Sequence, residues 1–62
     1  MNDEYEVGTY PASVYKAQGM VSVQVGCTMP DALVLMKNRA AIEDMTLDQI
    51  TEHVLDRSIR FI

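Results

Sequence analysis

Tryptophan is absent from this sequence, and phenylalanine, cysteine and histidine occur once each, as Phe61, Cys27 and His53. A lone cysteine cannot close an internal disulfide, and one cysteine with one histidine cannot supply the four ligands of a structural zinc. The single thiol fits a reducing compartment as a buried structural group, so the expected location is cytoplasmic. No apolar run approaches the roughly 20 residues that a membrane-spanning helix needs, and no signal-peptide pattern opens the chain. There is no glycine-rich phosphate loop, no HExxH and no CxxC. No cofactor, metal or small-molecule substrate is therefore expected, and no enzyme. His53 is the one candidate general base. It falls on the polar side of a helical segment beside Glu52 and Asp56, with no pocket or nucleophile in the pattern to serve it.

What is present bounds the fold. Sixty-two residues make one small domain, marginal for a single core, so regular helix packing or a partner is expected. A hydrophobic content of 48 % argues against wholesale disorder. The net charge of −4 argues against broad, non-specific nucleic-acid binding, which phosphate neutralisation drives. The acid is uneven: Asp3, Glu4 and Glu6 fall in the first ten residues, which carry no Lys or Arg. Without them the body of the chain is nearly neutral.

Residues 1–10 lack periodicity and are expected to form a flexible acidic leader, with Tyr5 and Tyr10 as loose residues in it. Pro11 then suits the first turn of a helix, where its missing N–H does no harm. The stretch MVSVQV (20–25) alternates like a half-exposed strand, and its valines favour one. On a helical period, however, Val14, Ala17, Val21 and Val25 share one face. Gly19 costs a helix about 1 kcal/mol, yet the periodicity favours a helix here, with Gly26 as its stop. A second helix is expected from the capping signal Thr28-Met29-Pro30-Asp31, with Met29, Leu33, Met36 and Ala40 as its stripe and Leu35 and Ile42 off it. After a break at Asp44 and Met45, Thr46 and Gln49 open a third helix. Leu47, Ile50, Val54 and Phe61 form its inner stripe. Asp48, Glu52 and Asp56 face solvent, with Asp56 paired to Arg60 at i, i+4. The expected architecture is an all-α, small three-helix bundle over 11–62.

The cations are Lys16, Lys37, Arg39, Arg57 and Arg60. Lys37 and Arg39 fall about 160° apart on the second helix, so they flank its core stripe and do not form one patch. They read either as solubilising residues with snorkelling stems or as separate phosphate contacts. Tyr15 flanks a helix interface or offers a stacking face for an unpaired base.

KAQGMVSVQ, then CTMPDALVLMKNRA, then TLDQITEHVLDRSIRF resembles the ANTAR domain in its actinobacterial form, over about Val14 to Phe61. The resemblance implies a three-helix module that binds RNA hairpins, promotes transcription antitermination and acts as a dimer, usually downstream of a sensor domain. It also implies that MVSVQV continues the first helix. Ala17 and Gly19 match the family's A-x-G, where a small residue admits close approach of a backbone or a base. Ala32 and Ala40 match small positions of the second helix and Lys37 its basic one, while Arg57, Arg60 and Phe61 match the tail. Basic groups would hold phosphates beside splayed hairpin bases. The RNA-binding set expected from these matches and from the neighbouring basic and polar positions is Lys16, Gln18, Gly19, Lys37, Arg39, Arg57 and Arg60. Gln18 departs from the lysine common in the wider family.

The alternative is a small helical protein-interaction or dimerisation module without RNA binding, suggested by the acidic charge and by Leu35, Leu55 and Ile59 lying off their stripes. Major-groove DNA reading ranks last, because the third helix carries an acidic stripe where Arg and Asn contacts would be needed.

Overall fold

The computed structural model describes residues 10–61, which fold as three helices, α1 (Ala12–Val25), α2 (Met29–Ile42) and α3 (Leu47–Leu55). No strand occurs among them. MVSVQV is helical, as its period requires. The leader over residues 1–9 lies outside the described residues.

Each helix starts and stops for a local chemical reason. Pro11 precedes α1 with an extended backbone (ψ 159°), and Val14 N–H donates to its carbonyl at 3.0 Å. The Thr28 hydroxyl accepts from Asp31 N–H at 3.2 Å, with Pro30 in the first turn of α2. At α3 both halves of a capping box form. Thr46 Oγ1 accepts from Gln49 N–H at 3.1 Å, and Gln49 Oε1 accepts from Thr46 N–H at 2.9 Å. With nine residues α3 is too short to be stable alone, so its cap matters. Thr46→Ala should lower the unfolding free energy by about 1 kcal/mol and Thr46→Ser should not. Urea unfolding followed by circular dichroism checks both.

All three helices end at a left-handed residue, Gly26 (φ 76°), Asp44 (φ 58°) and Arg57 (φ 67°). The N–H of the following residue closes each turn five residues back, Cys27 to Ser22 O at 3.0 Å, Met45 to Ala40 O at 2.8 Å and Ser58 to His53 O at 3.0 Å. This satisfies carbonyls that would otherwise lack partners at a helix end. Glycine adopts that conformation freely and aspartate tolerates it. An arginine there costs about 1 kcal/mol or more.

The core joins Ala17 and Val21 of α1, Ala32, Met36 and Ala40 of α2, and Ile50 and Val54 of α3, with Val14 buried as well. The chain turns through 99° between α1 and α2, and the small Ala17, Ala32 and Ala40 let the backbones approach. Gln18, also buried, donates from Nε2 to Met29 O at 2.7 Å and ties α1 to the first turn of α2. Among the described residues no single helix is long and apolar enough to cross a membrane.

Four expectations need correction. Val25 is 39 % exposed, because it is the last residue of α1 and the chain turns away at Gly26. The inner stripe of α2 is Ala32, Met36 and Ala40; Met29 is 39 % exposed and Leu33 is half-buried. Apolar side chains on several sides of α2 left its phase undetermined by period alone. Phe61 reaches the core from a non-helical tail, since α3 ends at Leu55. The same early end removes the i, i+4 geometry for Asp56 and Arg60, and Asp56 Oδ1 accepts from Ser58 N–H at 2.8 Å instead.

Candidate nucleic-acid interface

A groove of about 580 Å³ runs between α1 and the tail that follows α3, lined by Gly19, Met20, Val23, Gln24, Arg57 and Arg60. Helical spacing builds its α1 wall. Gly19 and Val23 lie one turn apart on the side away from Ala17 and Val21, and Met20 between them is half-buried, with part of its side chain packed against the core. Val23 is 83 % exposed. Lys16 stands one turn before Met20 on the same face. The groove therefore has apolar side chains with two guanidinium groups beside them, and among the described residues no carboxylate lines it.

The tail is held in place from two sides. Phe61 N–H donates to Gln24 Oε1 on α1 at 3.1 Å. Arg39 on α2 donates from Nη1 to Arg60 O at 3.3 Å, lies over the Phe61 ring at 5.6 Å, and pairs through Nε with Glu43 at 2.9 Å. An exposed pair of this kind contributes little by itself, but Arg39 fixes the backbone that carries Arg60. The turn leading into the tail is set by Arg57 in the left-handed region, by Asp56, and by a 2.7 Å hydrogen bond between His53 Nδ1 and Ser58 Oγ. Hydrogen bonds from the Ser58 side chain and backbone, with attraction to His53, lower the Asp56 pKa from its ordinary value.

Of the seven residues singled out from sequence, Gly19, Arg57 and Arg60 line this groove and Lys16 extends its α1 wall. Gln18 is buried, with its amide engaged in the α1–α2 contact. Lys37 sits over the Tyr10 ring at 5.6 Å, so Tyr10, expected as a loose leader residue, packs on α2. Arg39 supports the tail from behind. Met20, Val23 and Gln24 were not singled out. The first two share a helical face with Lys16, a signal the sequence did contain, whereas the Gln24 contact to Phe61 spans 37 positions and has no sequence signature.

Gly19 and Arg57 stand out energetically. Among the described residues a Cβ built on Gly19 would meet nothing within 4 Å, so packing among them does not require glycine there. Its presence in a helix interior nevertheless costs about 1 kcal/mol relative to alanine. Arg57 carries a similar cost through its positive φ. Gly19 has no packing reason inside the described residues and Arg57 closes the end of α3 where a glycine would do so at lower cost, and both line the same groove; such locally unfavourable positions concentrate at functional sites.

Among the described residues no group of three or more His, Cys, Asp or Glu converges to hold a metal ion. Comparison with known protein families, with curated proteins and with solved structures finds no match to this chain.

Proposed function

We propose that this chain is an ANTAR-like module that binds RNA hairpins and regulates transcription by antitermination, with the α1–tail groove as its RNA site. The meeting of Gly19, Arg57 and Arg60 on one groove carries the reading, because all three match the family pattern and two of them cost stability. Arg57, Arg60 and Lys16 supply phosphate contacts. Met20 and Val23 offer an apolar surface to an unpaired base, and Gly19 leaves that surface open. Lys37 and Arg39 contribute charge from α2, with Arg39 acting chiefly through the tail.

The test is an electrophoretic shift series with terminator-type hairpins, run beside a measured molar mass. Binding is expected to weaken with salt, and Arg57→Ala with Arg60→Ala should flatten the log–log salt slope by roughly 0.7 for each phosphate that is no longer neutralised. Undetectable affinity for the unmutated chain at low salt would overturn the proposal. The second reading, a helical interaction module, is favoured by Val34 and Ile42, 55 % and 79 % exposed on α2. A folded monomer at high concentration counts against it as a dimerisation module.

A further inference from the structure

We infer that the α1–tail groove selects unpaired bases carrying an exocyclic oxygen over those carrying an amino group, and that Gln24 is the residue that reads this difference. The inference deepens the RNA reading above and rests on it. The orientation of the Gln24 amide is decided by its partner. Phe61 N–H can only donate, so the atom that faces it at 3.1 Å is Oε1. Both N–H donors of the amide are left at Nε2, and among the described residues they meet no acceptor. Gln24 is half-buried and lines the groove. One side chain therefore anchors the tail with its oxygen and keeps two donors in reserve.

The other polar side chains of the groove, Arg57 and Arg60, are donors as well. Two backbone oxygens nearby are engaged, Arg60 O by Arg39 Nη1 at 3.3 Å and Gly19 O by Ser22 Oγ at 2.8 Å. No oxygen acceptor is left free on a lining side chain. A keto oxygen of uracil or of a 6-oxopurine placed there is satisfied. The amino group of cytosine or adenine faces only donors, and the protein's own N–H groups then lose their partner too. The remaining contacts are blind to this difference. Met20 and Val23 touch the face of any base, and the two arginines hold phosphates, which carry no sequence information. A groove of about 580 Å³ lies within the usual range of about 300–1,000 Å³ for small-ligand sites, which suits one unpaired nucleotide.

The deciding experiment titrates the full chain at low salt with hairpins of one stem whose loops are all uridine, all cytidine, all inosine or all adenosine. Within each pair, uridine with cytidine and inosine with adenosine, the bases exchange an exocyclic oxygen for an amino group. The unmutated chain is expected to bind the oxygen-bearing loop about three- to tenfold more tightly in both pairs. Gln24→Glu keeps an oxygen for Phe61 N–H but replaces the free donors with an acceptor. Its added charge weakens binding to every loop, so the ratio within a pair is the readout, and that ratio should fall to one or invert. A residue that only held the tail would leave the ratio unchanged. Equal binding within the pairs by the unmutated chain, or a preference that Gln24→Glu does not alter, overturns the inference and leaves the RNA reading intact. If no loop binds at low salt, the RNA reading fails and this inference falls with it. Should Gln24→Glu fail to fold, the two base pairs measured on the unmutated chain still decide whether the groove selects oxygen-bearing bases.

Discussion

Met36→Ala should leave the domain largely unfolded at 37 °C or lower its melting temperature by at least about 10 °C. Among the described residues Met36 is the largest fully buried side chain, and it sits among core residues of all three helices. Truncating such a methionine costs about 2–5 kcal/mol through reduced burial and the cavity left behind. A domain of this size has only about 3–9 kcal/mol of stability to lose, and at its size each kcal/mol moves the melting point by about 4–8 °C. Ile42→Ala is the matched control. Ile42 is 79 % exposed although it belongs to the same helix, so its truncation should change stability by less than about 0.5 kcal/mol. Thermal unfolding followed at 222 nm compares the two. A smaller effect at Met36 than at Ile42 would mean that the core is not organised around α2.

Gly19→Ala and Arg57→Gly should each make the protein more stable and a weaker hairpin binder. The alanine gains helix propensity without meeting a neighbour, and the glycine relieves the positive φ of Arg57. Each substitution is expected to raise the unfolding free energy by about 1 kcal/mol. Each removes something the groove offers a ligand, close approach at Gly19 and a cation at Arg57. Affinity should fall about tenfold when a charge-assisted hydrogen bond to phosphate is removed. Denaturant unfolding and hairpin titration on the same preparations read both effects. If stability rises while affinity is unchanged, the two residues are not part of an RNA site and the groove has no claim to be one.

Sequence pattern alone carried the helix count and the positions of the two breaks between helices. Gly26, Thr28-Asp31 and Thr46-Gln49 act within a few residues, and their hydrogen bonds form where the pattern places them. The strand-like letters of MVSVQV yielded to a period that buries Val14, Ala17 and Val21 together. The phase of α2 was not legible, because alternative apolar faces compete and only the position of α1 and α3 selects Ala32 over Leu33. The end of α3 was not legible either, since an arginine in the left-handed region gives no local stop signal.

The candidate site divides along the same line. Lys16, Gly19, Arg57 and Arg60 could be named from the chain, but their meeting could not. They are separated by up to 44 positions, and the tail reaches α1 because Ile59 and Phe61 pack against the core while Gln24 and Arg39 grip it at Phe61 and at Arg60 O. Gln18 and Arg39, equally plausible as ligand contacts in sequence, are occupied by the fold itself. Helices, caps and breaks follow from interactions within four or five residues, which the sequence determines directly. Which cations converge, and which are consumed in holding the structure, depends on contacts between distant segments, and those exist only once the three helices have packed.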